Sequence, residues 1–566
     1  MGGHIVATLV PAQGVFPSGP ELVTFGLPFP RGSLTQADLS TVRVLRGGVE
    51  IPAHVEMLTP YRDIDDPAKD GLWVRVARIQ LMYSFAKPSS LGEPVTVEWG
   101  LSSRTADVPK LVDPRRGWHA VTQGSFLVED LVSEPNVYAV LDKDLLSQGA
   151  LRVRLDPIDD RVGVEVVRPA SSVSGKHLPW PLAYDYAQTN FFYGLLNEPS
   201  GTNPYRTNQD DDNGEAWLFD RSSAMFVLYL RSGSPRVLSE AVRGAVFYEH
   251  LLIIARQKDG DPTTDPRYEG AFFSWRKPKK DPHDAAMEPL WDPKYSYAES
   301  LAYTHWLTGD DRVLDKLDAV VGAFSDVPSR WSPDLAPIRK STGQLLREAW
   351  TERNVAFKLL AATIAFELTG RDKYRALMEQ IVEDLLWLQN LHQGGGIYHL
   401  GTQHDRDEAG QELIASPWMS VLVVDAMVRV YEIWPDPRIA RFVARMGNML
   451  ATASKVHLRA DGTQVRYPDY LIRPDGSTHT DHDGIPHAAD VLNALTWAHH
   501  FKTKVLKEPD DCFPQVIAGS PGLYEAFVEE LFRTPREDWV LRPYRRYAWM
   551  FRPSAPLSEV MPSPWK

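Results

Sequence analysis

Five short polar segments carry the residue types that acid–base chemistry requires, and each leads into a strongly apolar run. If those runs are helices, the segments lie at helix N-termini, where free N–H groups and the positive dipole end favour anions. Convergence of the segments at one end of a helical layer predicts a polar site there. The segments are 217–222, 291–299, 347–354, 403–418 and 479–487.

These residues suit β-elimination on a uronic-acid-containing glycan. The reaction needs a cation to neutralise the sugar carboxylate, a base to remove the C5 proton and an acid to protonate the leaving oxygen. Arginine suits the first task, and tyrosine or histidine the other two. The candidate catalytic residues are Tyr295, Tyr297, Arg353, His482 and His487. The candidate substrate-binding residues are Arg221, Glu299, Trp350, Asn354, His404 and Trp418.

Glycoside hydrolysis is the alternative chemistry, because the same segments also carry carboxylates. A hydrolase places two of them across the scissile bond. The candidates for this pair are Asp220, Glu299, Glu352 and Asp490. Two facing carboxylates would favour hydrolysis, whereas a cluster of Tyr, His and Arg would favour elimination. A non-catalytic glycan-binding or structural protein is a third hypothesis.

Several of these residues also have a purely structural interpretation. Asp220 suits a helix N-cap, and Ser416 followed by Pro417 is typical of a cap with proline at the first helical position. Ser296 and Glu299 have the spacing of a capping box. The sequence leaves both interpretations open.

No cofactor is predicted. The cluster at 479–487 is rich in His and Asp but lacks a recognised zinc spacing. Calcium is the divalent cation that the acidic run at 210–213 could bind, although that run lacks the spacing of a calcium loop. The single cysteine, Cys512, excludes an intrachain disulfide.

The composition is that of a soluble globular protein, and the chemistry described above makes a polysaccharide or oligosaccharide the expected substrate. A net charge of −13 disfavours nucleic acid as a partner. No apolar stretch has the length of a membrane helix. The N-terminus lacks the pattern of a signal peptide, so a cytoplasmic location is expected by default, with secretion or particle association as alternatives.

A recurring sequence motif, called the recurring phrase below, predicts how the helices are arranged. In each copy an apolar helical run ends in helix-breaking residues and a second helical run follows, which is typical of helical hairpins. Five or six hairpins in a ring form an α/α toroid with a central cleft. The copies read LYLRSGSPR at 228–236, HWLTGDDR at 305–312, FELTGRDK at 366–373, a degenerate VYEIWPDPR at 430–438 and HHFKT at 499–503.

The N-terminal part reads as β structure. Apolar residues alternate at 42–46, 49–55, 95–99 and 151–155, with glycines between the first two runs. The predicted fold is therefore a multidomain α and β protein, with an N-terminal all-β barrel or sandwich before an (α/α)5–6 toroid. The predicted divisions are a β domain at 1–168, a linker and loop region at 169–215, the toroid at 216–510, and a C-terminal helix with an extended tail at 511–566.

The chain resembles the six-hairpin toroid enzymes that act on polysaccharides, and most nearly the exo-rhamnogalacturonan-lyase-like group. The resemblance rests on VTFGLPFP at 23–30, the run at 49–54, WLFDRS at 217–222 and KYSYAE at 294–299. It implies a β-barrel-like N-terminal domain, a toroid and activity on a glycan. These motifs are loose, and the resemblance assigns no catalytic residue.

Overall fold

The computed structural model is a mixed α and β protein. It describes residues 2–86, 92–121, 132–152, 155–160, 162, 180–196, 219–252, 272–274, 288–290, 297–322, 351–401, 412–480, 487–533, 548 and 550–552.

Strands dominate the described residues before position 142. Five of them form one antiparallel sheet in the order β10-β1-β7-β3-β4, and three form a second in the order β2-β6-β5, while β8 pairs with β9. The strands are β1 Gly3–Pro11, β2 Glu21–Pro28, β3 Arg43–Arg46, β4 Val49–Ile51, β5 His54–Pro60, β6 Val74–Tyr83, β7 Glu93–Trp99, β8 Trp118–Ala120, β9 Ser133–Pro135 and β10 Val137–Leu141.

The hairpin predicted around Gly47 and Gly48 is confirmed. Both glycines have positive φ, and β3 pairs with β4 through Arg46 and Val49. The second strand is shorter than expected, because β4 ends at Ile51 and the chain then joins the other sheet as β5. Proline at position 52 cannot donate to a strand ladder, so it suits this crossing.

The strand predicted at 151–155 is wrong: residues 151, 152 and 155 are not in a strand. The carbonyl groups of Ala150 and Leu151 accept hydrogen bonds from the Arg75 side chain. Arg152 turns its own side chain into a buried ion network. Side chains therefore take the place of a strand partner here.

Thirteen α-helices lie within the described residues, most of them after position 220. The helices are α1 Lys143–Leu146, α2 Trp180–Leu196, α3 Arg221–Ser232, α4 Pro235–Leu251, α5 Glu299–Thr308, α6 Leu314–Gly322, α7 Glu352–Thr369, α8 Asp372–Asn390, α9 Pro417–Ile433, α10 Pro437–Ala453, α11 Ala488–His500, α12 Cys512–Ala518 and α13 Leu523–Arg533. Short strand pairs connect some of them: β11 Phe272–Ser274 with β12 Glu288–Leu290, β13 His399–Leu400 with β14 Leu413–Ile414, β15 Ser454–Leu458 with β16 Gln464–Pro468, and β17 Leu471–Ile472 with β18 Thr478–Thr480.

Helix contacts follow the chain and return to their start. Helix α3 packs against α4 and α5, α5 against α7, α7 against α9, and α9 against α11. The contacts continue from α11 to α13, from α13 to α2, and from α2 back to α3. Helices α3, α5, α7, α9 and α11 are buried along most of their length, whereas α8 buries one side only.

The glycine of the recurring phrase ends three of the buried helices against the strands. Gly233, Gly309 and Gly370 follow α3, α5 and α7 with φ of 65°, 71° and 66°. This left-handed conformation is the usual helix C-cap and favours glycine. A methyl group added at Gly309 would lie 2.9 Å from Thr24 of β2. The C-terminal ends of these helices therefore face the strand region.

Two sequence expectations need correction in this region. The segment predicted as linker and loop contains α2, in which Tyr184 and Phe192 are buried. The fifth copy of the phrase, at 499–503, does not break the chain: α11 continues as a π-helical turn, Phe501–Val505, because no glycine ends it. Across the described residues, no helix is both long and apolar enough to cross a membrane.

Candidate functional site

The N-terminal ends of the buried helices lie away from the strands, and they hold most of the described candidates. Asp220 precedes α3, Glu352 and Arg353 begin α7, Trp418 is the second residue of α9, and His487 precedes α11. Because α3, α5 and α7 end in glycine caps beside the strand region, these N-termini are the end at which a ligand site can form.

A row of stacked side chains joins three of these helices. The imidazole of His487 stacks on the indole of Trp418 with ring centroids 5.1 Å apart and planes 11° apart. The guanidinium carbon of Arg353 lies 5.6 Å from the centroid of the Trp418 ring. His487 Nδ1 lies 3.0 Å from Asp490 Oδ2. We call Arg353, Trp418, His487 and Asp490 the Trp418 stack. It brings a cation, a base and a carboxylate together.

Asp490 orients His487 from one turn along α11. It is 2% exposed, and burial raises its pKa above the usual range, while its hydrogen bond to His487 and the charge of Arg552 lower it. Its Oδ1 has no hydrogen-bond partner among the described residues. Asp490 lines a cavity of about 10 Å³, which is room for about one water molecule.

Arg353 is the most exposed member of the stack. Its guanidinium also lies 5.3 Å from the ring centroid of Phe219, and its Nε has no hydrogen-bond partner within the described residues. Within the described part of the chain its partners are aromatic faces, which attract a cation without neutralising it. The charge is therefore available to an anionic ligand.

Phe219 and Asp220 have a strained backbone. Their φ values are 56° and 55°, a region that non-glycine residues seldom occupy, and such residues cluster at functional sites. Asp220 is the N-cap of α3, yet its side chain makes no capping bond to that helix. Its Oδ2 instead accepts a hydrogen bond from the Ser300 backbone at 3.3 Å. Burial, followed by repulsion from Glu299, raises the pKa of Asp220 to about 7.

Glu299 is the centre of a buried ion network. Its carboxylate contacts Arg152 at 3.0 Å, Arg552 at 2.9 Å and Arg429 at 3.4 Å. Although burial opposes ionisation, these guanidinium groups lower the pKa of Glu299 to about 2. Asp425 joins the same cluster through Arg152 and Arg552. We call these five residues the guanidinium network.

The capping-box interpretation of Glu299 is wrong. Helix α5 begins at Glu299 itself, with Ala298 as the N-cap, so Glu299 cannot occupy the third helical position that the motif requires. Ser416 is confirmed as the N-cap of α9 with Pro417 at the first position, although its hydroxyl makes no capping bond.

Glu352 forms a second carboxylate–histidine pair. Its Oε1 accepts a hydrogen bond from the Ser416 backbone at 2.8 Å, and its Oε2 lies 2.8 Å from His399 Nδ1. His399 was not found from the sequence, because it follows a glycine run and precedes no apolar helix. The pair links the start of α7 to β13 beside the start of α9.

Tyr297 lies behind the strained turn. Its hydroxyl accepts a hydrogen bond from the Phe219 backbone at 2.7 Å, and its own backbone N–H donates to the Tyr248 hydroxyl at 2.8 Å. Its ring packs edge-on against Phe357 with centroids 5.0 Å apart, and the residue is 1% exposed. Tyr297 thus supports the conformation of Phe219 and Asp220.

The remaining candidates divide between buried positions and undescribed ones. Arg221 and Asn354 are both buried at the starts of α3 and α7. The side-chain oxygen of Asn354 has no hydrogen-bond partner in the described part of the chain. The candidates outside the described residues are Tyr295, Trp350, His404 and His482, together with the acidic run at 210–213.

The described residues hold no group of three or more His, Cys, Asp or Glu side chains arranged for a metal ion. Cys512 is exposed at the start of α12, away from these clusters.

The chain matches no family model and no curated protein sequence. It is similar to a solved polysaccharide lyase at 11% identity and a TM-score of 0.36, over 65% of this chain and 93% of that chain. It is similar to a family 76 glycoside hydrolase from a bovine Bacteroides thetaiotaomicron strain at 10% identity and a TM-score of 0.34, over 94% and 95% of the two chains. A β-arabinofuranosidase of glycoside hydrolase family 127 matches at 12% identity and a TM-score of 0.32, over 71% and 61%.

Proposed function

We propose that the chain is a glycan-processing enzyme that cleaves a uronic-acid-containing glycan by β-elimination at the N-terminal ends of its buried helices. The observation that carries the proposal is the Trp418 stack. It combines an incompletely neutralised guanidinium with a histidine that a buried carboxylate orients.

In the proposed mechanism Arg353 binds the sugar carboxylate. Neutralising that carboxylate acidifies the neighbouring C5–H bond, because the developing negative charge spreads onto the carboxylate oxygens. Arg353 suits this role because its partners among the described residues are the π faces of Phe219 and Trp418. A planar guanidinium also matches a carboxylate with two parallel hydrogen bonds.

In the proposed mechanism His487 is the base. It accepts the C5 proton, a double bond forms between C5 and its neighbour, and the bond from that neighbour to the leaving oxygen breaks. Asp490 fixes the imidazole through Nδ1 and stabilises the imidazolium that results. Trp418 holds the ring plane by stacking, which is a positioning role in addition to the sugar contact predicted from the sequence.

The leaving oxygen must receive a proton as its bond breaks. Tyr295 and His482 remain predictions for this role and lie outside the described residues. The Tyr297 hydroxyl is the third candidate, and it lies at the strained turn because it accepts a hydrogen bond from the Phe219 backbone. Its burial requires the strained turn at Phe219 to move before a sugar could reach it.

Glycoside hydrolysis is the second candidate, and Asp220 favours it. A carboxyl group with a pKa of about 7 is partly protonated near neutral pH, as a general acid must be. Glu299 does not suit either role, since three guanidinium groups surround its carboxylate. Asp490 and Glu352 remain as partners for Asp220, each already paired with a histidine.

The two chemistries are separated by their products. The protein is incubated with a panel of uronic-acid polysaccharides and, separately, of neutral ones. Ultraviolet absorbance then reports unsaturated uronate, and a reducing-end assay reports all cleavage. We expect both signals on an acidic glycan. Reducing ends without absorbance would refute elimination and favour Asp220 as an acid, whereas binding without either signal would favour a glycan-binding protein.

The variant His487→Ala tests the assignment of the base. Loss of a general base lowers the rate by roughly 10²–10⁴-fold. The matched control is Glu379→Gln, which alters an exposed ion pair with Arg375 on α8. Full activity in His487→Ala would remove His487 from the mechanism.

A further inference from the structure

The C-terminal segment brings a buried arginine to the cavity beside Asp490. Arg552 is 2% exposed and lines the cavity of about 10 Å³ together with Asp490, Trp418 and Phe219. No motif surrounds it in the sequence. Arg552 lies far from α11 along the sequence, so the sequence does not show that the fold brings it to the same cavity as Asp490.

Arg552 is held firmly on the other side of the cavity. Its Nη1 donates to Glu299 Oε2 at 2.9 Å and lies 3.5 Å from Asp425 Oδ2. The guanidinium carbon lies 5.2 Å from the ring centroid of Phe357. The preceding residue, Phe551, packs edge-on against Tyr184 of α2. The charge is therefore fixed in place by contacts to α2, α5, α7 and α9.

We infer that Arg552 is a positioning residue for His487: across the cavity it keeps Asp490 in the charged, hydrogen-bonded state that orients the imidazole. The carboxylate is otherwise buried beside aromatic and aliphatic side chains, which disfavour a charge. The role rests on the proposed function insofar as His487 is the base.

The charged groups around the pair come from four parts of the chain. His487 and Asp490 belong to the start of α11, and Arg353 reaches the Trp418 face from α7. Arg552 comes from the C-terminal segment and Glu299 from α5. Arg552 also interacts electrostatically with Asp220, whose pKa its charge lowers. Among these groups, Arg552 is the cation that shares the cavity with Asp490.

The closing experiment titrates the Asp490 carboxyl group by NMR in protein with labelled aspartate side chains, with Asp490→Asn providing the assignment. Removing a nearby cation favours protonation of a buried carboxylate. We therefore expect Arg552→Gln to raise the pKa of Asp490 by about 1. Arg552→Lys keeps the charge on a shorter side chain and should raise the pKa of Asp490 less. The acid limb of the kcat/KM profile should move up by the same amount, with KM unchanged.

The controls are Arg75→Gln and Arg75→Lys. Arg75 is also buried and ion-paired, with Glu367, but it reaches α7 from β6 and does not line the cavity. An unchanged Asp490 titration in the Arg552 variants, or an equal shift in the Arg75 variants, would overturn the inference. If Arg552→Gln does not fold, the comparison of Arg552→Lys with Arg75→Lys decides it. The titration needs no substrate, so a shift in a protein without lyase activity would refute the proposed function alone.

Discussion

The buried carboxylates of this protein fall into two groups with opposite electrostatic surroundings. Glu367 and Glu299 are matched to guanidinium groups: Glu367 contacts Arg75 at 2.6 Å and Arg429 at 2.8 Å, and both arginines lower its pKa. Asp220 and Asp490, at the N-terminal ends of α3 and α11, are also buried, but their pKa values are raised.

The difference lies in how many cations surround each carboxylate. Burial penalises every one of these charges, and two or three close guanidinium groups overcome the penalty for Glu367 and Glu299. Asp220 forms no ion pair among the described residues, and Asp490 contacts the imidazole of His487 in place of a guanidinium group. Paired charges hold helices and strands together, whereas Asp220, with a pKa of about 7, can exchange a proton near neutral pH.

The largest effect is expected from the paired side. Glu299→Gln keeps the side-chain shape but leaves three guanidinium groups short of a negative charge. Breaking such a buried network should lower the free energy of unfolding by roughly 3–5 kcal/mol. Thermal and urea unfolding measure it, with Glu379→Gln as the control, for which a surface pair predicts less than about 1 kcal/mol. Similar losses in the two variants would show that the guanidinium groups around Glu299 stabilise the fold no more than a surface ion pair does.

A pH-dependent effect is expected from the unpaired side. The pKa of Asp220 is raised from 3.8 to about 7, so the folded protein binds this proton more tightly than the unfolded chain. Its stabilising contribution is present below about pH 4 and is lost as the pH rises to about 7. The full change corresponds to roughly 4 kcal/mol.

The variant Asp220→Asn tests this pH dependence. Asparagine tolerates the left-handed conformation at this position and does not ionise. The variant should therefore lose less stability than the wild-type protein between pH 4 and pH 7, measured by thermal unfolding across that range. Parallel profiles for the two proteins would contradict the raised pKa.

Only part of this comparison between the two groups of carboxylates could be predicted from the sequence. The recurring phrases predicted the helices and the breakers between them, because glycine caps and apolar runs are local signals. The hairpin at Gly47 and Gly48 was predicted for the same reason. Polar segments before apolar runs also indicated the N-terminal ends as the place for a site.

The pairing of charges could not be predicted. The guanidinium groups around Glu299 come from Arg152, Arg429 and Arg552, which lie 147, 130 and 253 residues away along the chain. Alternation at 151–155 indicated a strand, because nothing local showed that Arg152 would enter an ion network. For the same reason Glu299 was a candidate for catalysis in the sequence and is a structural centre in the fold.

The smallest effect is expected at the helix caps that meet the strands. Alanine at Gly309 must adopt a φ of 71°, which costs roughly 1–2 kcal/mol, and its methyl group would also approach Thr24. Gly462 has a φ of 83° with nothing within 4 Å, so Gly462→Ala isolates the backbone cost. A larger loss of thermal stability in Gly309→Ala measures the contact with the strands. Equal losses would mean that this contact contributes no stability.

The central claim, elimination at the N-terminal ends of the buried helices, is tested most directly by the masses of the products. Elimination divides a glycan into fragments whose masses sum to that of the substrate, whereas hydrolysis adds one water molecule. Mass spectrometry of a defined uronic-acid oligosaccharide should show fragments without added water for the wild-type protein and for Glu379→Gln, and intact substrate for His487→Ala. Fragments that together contain one additional water would contradict elimination and favour hydrolysis with Asp220 as the general acid.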